Sequence, residues 1–484
     1  MTDSGPLLLG IDLGTSAVKV IATSVNGTVA GIGSASFATI CDLPDQAEQD
    51  PAAWMAAVAE AMADLEPTLR GPDPDWRARA AAIGVTGQLP TLVCCDARGR
   101  PLGRAITWQD ARADAPTLAA LDPARRRDLY RRTGMPIDGR YLGPMFRHHW
   151  LARSAEVESI LSAKDYLVSV LTERRLTDPS TAAGYGAFDL AAGSFAPDLT
   201  ELWQLPAAAL PPVRPAHSVA GGLSAAAAHL LGIPAAIPVT VGAADSVSGA
   251  FAMAALQAGI VCIAMGSSTI IIDAIREARL DPAARYLLTP HVEPGWYARE
   301  MDLLATGTGY RWLSALMHLP PGKLEQLAAE ASPGAHDLFF TPYLAGGEQG
   351  ALWDPALRAS ISGLTLRHGA SDIARAFLEG VAFEIRRCVD VLAETAPVRE
   401  VVISGHLAEH HPSLQMLADI LHRPVQPFQS VSPAALGAAL GAQRALGAAP
   451  HGPAASSWPP KALPSRHANT YERLYASYLD ATRA

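Results

Sequence analysis

The first thirty residues alternate between apolar runs and one small polar break. Leu7 to Leu13 is apolar apart from Gly10 and Asp12, Gly14 to Ser16 is small and polar, and Ala17 to Ala22 is apolar again apart from Lys19. This pattern predicts two buried strands joined by a tight turn, with Asp12, Gly14, Thr15 and Ser16 at the hairpin tip. In "EQDPAAWMAAVAEAMADL", Asp50 is placed to cap and Pro51 to start a helix. "AAIGVTGQLPTLVCCDARGRPL" returns to strand composition, with a turn from Asp96 to Gly99. "AKDYLVSVLTERRLTDPSTAAGYGAFDL" reads as a short helix and a polar loop, and "IPAAIPVTVGAADSVSGAFAMAAL" as a strand, a turn at Gly242, Asp245 and a small-residue helix. Between Asp245 and Asp273 no charge occurs, yet Ser246, Ser248, Gln257, Gly259 and Gly266 break the run, which predicts a helix and strands buried in protein and no membrane span. Ile373, Phe377, Val381, Ile385, Cys388 and Leu392 share one face at the 3.6-residue period, which predicts a core-facing helix. A Pro-rich connector, "HGPAASSWPPKALPS", precedes a last helix.

This is α/β texture, and 484 residues exceed one ordinary core. Two lobes are expected, 1–245 and 246–484, with the division at Asp245. The opening hairpin has an echo in the second half. "IVCIAMGSSTIIIDA" repeats the plan of "LLLGIDLGTSAVKVIA", an apolar strand, a Gly turn with two hydroxyl residues, and an apolar strand. Two unrelated hairpins could share that plan, because turns use Gly and Ser in any case; duplication of one unit is the alternative.

Composition narrows the partners. A net charge of -9 disfavours a nucleic-acid or anionic-membrane surface. The five cysteines are scattered with no CxxC pair, against a disulfide framework or a zinc ribbon and in keeping with a reducing cytoplasm. The N-terminus has no basic stretch before its apolar run, unlike a secretory signal.

A turn of Gly, Thr and Ser exposes backbone N–H groups and hydroxyls, the equipment for holding phosphate oxygens. Neither GxxxxGK[ST] nor a strand-to-helix GxGxxG occurs. Asp12, where a buried strand ends, either holds magnesium beside phosphates or bonds its own turn. Asp245 either caps a helix or, facing those turns across a cleft, accepts a proton from a substrate hydroxyl during phosphoryl transfer. His406 to His410 spells H-x-x-E-H, a pattern shared with inverted zinc peptidases.

In order and spacing, these segments resemble the FGGY carbohydrate kinases, and within them the xylulokinases, over nearly the whole chain. "GIDLGTSAVKV" looks like the first phosphate motif, "EQDPAAW" and "TWQDARA" like N-lobe landmarks, "AKDYL" and "TDPSTAAG" like the mid-lobe segment. "GAADSVSGAFA" resembles the catalytic Gly-x-x-Asp turn, "MGSST" the second phosphate turn, "ASISGLTLRHGASDIARAFLE" the second signature with Phe377 where a smaller residue is usual, and "SPAALGAAL" the closing segment. The resemblance implies an α/β, duplicated actin-like (ribonuclease H-like) ATPase fold whose two lobes close on Mg-ATP and a sugar. It implies Asp12 as the magnesium and phosphate-turn carboxylate, with Gly14, Thr15 and Ser16 beside the phosphates. It also implies Gly266 and Ser267 as the second turn, Asp245 as the general base, and Gly307, Gly405 and Ala408 as the border of the nucleoside. Gln88, Leu89, Pro90, Trp108, Asp110 and Asp245 are expected at the sugar, with Arg112 also lining the pocket; for Trp108 and Arg112 the alternative is a packing or surface role.

Two departures stand out. Xylulokinases carry Met-His-Gly after the N-lobe Gly-Gln and glycerol kinases carry Arg-Glu, whereas this chain has Leu89, Pro90 and Thr91, and proline offers no side-chain hydrogen bond. The adenosine motif, usually three glycines and Ala, reads "GHLAEHH", so His406 and Leu407 are expected either to narrow the purine slot or to stack on the base, with an altered nucleotide preference. The expected function is therefore ATP-dependent phosphorylation of a small sugar, D-xylulose or a related ketopentose. The alternatives are a kinase of another polyol or a sugar-sensing pseudokinase. A homodimer is compatible with the sequence and not required by it.

Overall fold

The computed structural model describes residues 5–69, 75–254, 256–320, 322–345, 349–354, 356–430, 432–448 and 458–482. Strands Leu7–Leu13 and Ala17–Ser24 pair antiparallel, Leu13 opposite Val18, which leaves Gly14, Thr15 and Ser16 at the tip of the hairpin. Val29–Ser36 extends the hairpin antiparallel. Ala80–Gly87 then lies parallel to Leu7–Leu13, and Pro238–Thr240 parallel to Ala80–Gly87. A parallel neighbour requires a crossover. Helix Pro51–Leu65 lies within that crossover, its start fixed by Asp50, whose Oδ1 accepts from Ala52 N at 2.9 Å.

The second half builds the same sheet. Ile260–Met265 and Thr269–Ile275 form the hairpin, Tyr297–Leu303 extends it antiparallel, Glu400–Ser404 runs parallel to Ile260–Met265, and Val425–Pro427 parallel to Glu400–Ser404. Here the crossover includes helix Ala370–Ala393, with Phe377, Val381, Ile385, Cys388 and Leu392 buried on its core face. Five strands thus recur in the same order and directions, and the echo between the two hairpins is a duplication. The architecture is the α/β, duplicated actin-like fold.

The two lobes share one interior. Helix Pro433–Ala445 packs on the first sheet, and helix Asp245–Ala254 lies against it and against the second sheet. Glycine makes these approaches feasible. A Cβ at Gly10 would lie 1.9 Å from Ala435 O, and one at Gly84 1.7 Å from Ala438 O. Val247, Phe251, Cys262, Ile272 and Leu436 meet in one buried cluster between the sheets. A smaller sheet, Glu48–Gln49, Thr91–Cys95, Ala105–Thr107 and Ser159–Ser162, is attached to the first lobe, and beside it a core around Phe146, Tyr185 and Trp203 supports one wall of the cleft.

The last helix spans Ala468–Ala481, and the first half of the Pro-rich connector before it, 451–457, falls outside the described residues. Among the described residues, no helix is long and apolar enough to cross a membrane.

Candidate active site

Each hairpin tip is closed by its own main chain. Gly14 N donates to Ala17 O at 3.1 Å in the first, and Gly266 N to Ser268 O at 2.8 Å in the second. Both tips face one cleft. A cavity of about 860 Å³ is lined by Asp12, Thr15 and Lys19 from the first turn and Gly266 and Ser268 from the second, with Gly405 and Ala408 further along. A second cavity, about 190 Å³, is lined by Leu89, Pro90, Trp108, Arg140, Glu300 and Asp302 among others. Thr15, Asp245, Ser246, Ser268 and Ile270 line both. Asp245 therefore stands at the junction of a small cavity and a larger one flanked by both turns.

Asp12 is 7% exposed. Its Oδ2 accepts from Ser432 Oγ at 3.2 Å, while Oδ1 is buried with no hydrogen-bond partner. Burial pushes its pKa up to about 6, against the opposing pull of Lys19 and the Ser432 hydroxyl. Asp245 starts helix Asp245–Ala254, and its Oδ1 accepts from Ser246 N at 2.9 Å. Burial, then the charges of Asp12 and Glu300, hold the Asp245 carboxyl well above the ordinary carboxylate range. Such a group binds a proton readily, which suits a general base.

The second turn depends on two close approaches. A Cβ at Gly307 would lie 1.9 Å from Gly266 O. Gly405 has φ +99°, and a Cβ there would meet Met265 O at 2.2 Å. Gly14, Ser16, Ser267 and Gly307 flank the larger cavity without lining it; Ser267 O accepts from Thr308 N at 3.1 Å.

Not every expected sugar residue reaches the small cavity. Leu89, Pro90 and Trp108 do, and Trp108 Nε1 donates to Thr15 Oγ1 at 3.1 Å. Gln88 and Asp110 line neither cavity. Gln88 Nε2 donates to Gln49 Oε1 at 2.8 Å, and Gln49 Nε2 in turn to Thr15 O at 2.8 Å, so Gln88 supports the first turn from behind. Asp110 is 1% exposed, accepts from Ala47 N at 2.9 Å and is gripped by Arg112, which also reaches Glu48 at 2.6 Å. The Gln88 Nε2 and the Asp110 carboxylate are thus drawn to the small sheet beside the cleft, while Gln88 Oε1 is buried without a hydrogen-bond partner among the described residues. Leu407, expected at the purine slot, is fully buried in the second lobe's core. The side chains of His406 and Glu409 lie outside the described residues. His410 Nδ1 meets Ser413 Oγ at 2.9 Å, and among the described residues no group of three or more His, Cys, Asp or Glu is arranged to hold a metal.

Arg140, Glu300 and Asp302 were not expected. Glu300 and Asp302 sit two apart on strand Tyr297–Leu303 and so share a face. That two-residue spacing of acids in an otherwise buried strand is the signal that marks them. Arg140 lies in a loop, outside any periodic segment, and only the fold brings it to the cavity.

Duplicated lobes, with a buried carboxylate between a small cavity and a larger one bordered by two small-residue turns, have the arrangement of a two-lobed phosphotransferase. The FGGY carbohydrate-kinase N-terminal domain matches residues 7–252 and the C-terminal domain residues 261–446. The chain belongs to the FGGY family of carbohydrate kinases. It is 25% identical to a gluconokinase of Bacillus licheniformis, over 90% of this chain and 86% of that one. It is 29% identical to a glycerol kinase of Gloeobacter violaceus, over 90% and 87%. The crystal structure of a xylulose kinase from Rhodospirillum rubrum superimposes with a TM-score of 0.84 at 31% identity, over 98% of each chain.

Proposed function

We propose that this carbohydrate kinase transfers the γ-phosphate of ATP to a hydroxyl of a small uncharged sugar, with D-xylulose or a related ketopentose as the leading substrate. The observation that carries this reading is the position of Asp245 on the wall shared by the two cavities. The sugar occupies the small cavity and the triphosphate the larger. Asp245 takes the proton of the attacking hydroxyl, the hydroxyl oxygen forms the new P–O bond, and the β–γ bridging bond breaks to release ADP. Thr15 and Gly266 bring hydroxyl and backbone groups to the phosphates from opposite sides, with Gly14, Ser16, Ser267 and Gly307 shaping the turns. Gly405 and Ala408 border the nucleoside.

Asp12 is the residue we assign to Mg2+. Its buried Oδ1 lacks a hydrogen-bond partner, as suits an oxygen that faces a hard cation or a water on it. Bound magnesium would neutralise charge on the phosphates. With free, scattered cysteines we place the reaction in the cytoplasm.

The test is ADP release from Mg-ATP across pentoses, pentitols, tetritols, glycerol and D-gluconate. A ketopentose is expected to give the highest kcat/KM, and Asp245→Asn to remove turnover while ATP binding persists. Normal turnover in that variant would take Asp245 out of its role, and a higher kcat/KM for glycerol or gluconate would overturn the sugar assignment. A second reading, a sugar-sensing protein, is favoured by one observation: Leu89 and Pro90 line the small cavity and offer no side-chain hydrogen bond. It predicts ligand-induced lobe closure without phosphorylated product in the same screen.

A further inference from the structure

The small cavity has an uneven charge lining. Asp138, Asp245, Glu300 and Asp302 face it, and among its described lining residues Arg140 is the one cation. That guanidinium is already engaged: Arg140 Nε donates to Asp138 Oδ2 at 3.0 Å and Arg140 N to Asp138 Oδ1 at 2.9 Å, with Nη2 on the same carboxylate. Among the described residues no cation forms an ion pair with Glu300 or Asp302. Glu300 Oε2 accepts from Ser246 Oγ at 2.8 Å, and Asp302 Oδ1 is buried with no hydrogen-bond partner. Glu300 lies between apolar strand neighbours, Ile272 on one side and Leu287 on the other, while Asp302 lies between Ile270 and Gln349. Ile270 and Leu287 themselves line the cavity.

We propose that Glu300 and Asp302 are the specificity residues of the sugar cavity, accepting hydrogen bonds from hydroxyls of an uncharged polyhydroxy substrate and excluding sugars that carry a carboxylate. This rests on the kinase reading above and names its substrate class. An ionised carboxylate is an acceptor with about four lone-pair sites. Glu300 and Asp302 thus offer acceptors where Leu89 and Pro90 offer none, and a polyol brings hydroxyl donors to meet them. An aldonate instead brings a negative charge into a buried cavity lined by four acids, whose ionisation it opposes, and where the single guanidinium is taken. Burial already pushes Glu300 up to about 7 and Asp302 up to about 6, the latter against the pull of the Ser268 hydroxyl and Arg140. Both groups are thus held in a setting that resists further negative charge. The same lining repels the anionic product once phosphate has been transferred.

The experiment uses the full-length protein and follows two signals. Quenching of tryptophan fluorescence reads binding, because Trp108 and Trp353 line the cavity; ADP release reads turnover. D-xylulose and D-gluconate are the probes, on wild type, Glu300→Gln, Asp302→Asn and the double variant, each checked by thermal melting. Wild type is expected to bind xylulose about 100-fold more tightly than gluconate. Each single variant is expected to raise KM for xylulose about 10-fold with kcat changed less than about 3-fold, the signature of a lost substrate hydrogen bond. The double variant narrows the xylulose-to-gluconate ratio by at least about 10-fold. Gluconate binding as tight as xylulose, quenching by neither sugar, or single variants with unchanged KM would overturn the proposal. Discriminating quenching without ADP release would overturn the kinase reading and uphold the filter. If Asp302→Asn melts early, Glu300→Gln alone decides.

Discussion

The two hairpin tips share a backbone plan and differ in chemistry. Asp12 stands two residues before Gly14, and the matching place before Gly266 is Ala264. Lys19, opposite Asp12 in the first hairpin, has no charged counterpart in the second, where Ala264 faces Ile270. The first loop spans four residues between paired Leu13 and Val18, and the second three between Met265 and Thr269, one residue fewer. The second tip is braced from outside by Gly307 and Gly405, while the first is held through Gln49 and Trp108. Duplication supplied two sets of small-residue donors, and divergence placed the carboxylate on one side only. A triphosphate has room for one such anion, where a metal can lie between; a second would meet the phosphates without that screen.

The largest expected effect tests what lies between the tips. Asp245→Asn should lower kcat by about 10² to 10⁴-fold with ATP affinity retained, measured by ADP release and by nucleotide titration. Next comes making the tips alike. Ala264→Asp should weaken ATP binding about 10-fold or more, and Asp12→Asn should abolish the response of activity to added Mg2+; an Ala264→Asp protein that binds ATP normally would dissolve the asymmetry. Third, Gly307→Ala pushes a methyl at Gly266 O, so about 1–3 kcal/mol of stability should be lost and KM for ATP should rise while KM for sugar holds.

The pH dependence sharpens the comparison further. Because burial and the neighbouring Asp12 and Glu300 raise Asp245, its base form is lost as pH falls through a value well above the ordinary carboxylate range. The kcat/KM profile should therefore drop on its acid side at a higher pH than an unperturbed aspartate gives. The smallest effect is Arg311→Ala: Arg311 Nη2 meets Ser267 Oγ at 3.3 Å on the exposed side of the second tip. A change in KM for ATP of no more than about 3-fold is expected.

Much of the scaffold was legible in the chain. The first hairpin, the Asp50 cap on helix Pro51–Leu65 and the core face of helix Ala370–Ala393 follow from short-range pattern, because strand and helix periods and cap chemistry act within a few residues. The echo between the tips was visible for the same reason, since Gly and hydroxyl residues are what a donor turn needs.

The sugar side was legible only in part. Leu89, Pro90 and Trp108 reach the cavity, but Gln88 and Asp110, no more apolar than they, are turned into the small sheet by Gln49 and Arg112. Local sequence determined which residues could form turns, caps and buried faces. Tertiary structure alone decided which polar groups face the cleft, because hydrogen-bond partners such as Gln49 for Gln88 lie tens of residues away and the competition between partner and cavity is settled by packing. The gathering of Asp138 with Glu300 and Asp302 around one cavity is of that second kind: acids from two distant segments acquire a shared field only through the tertiary fold.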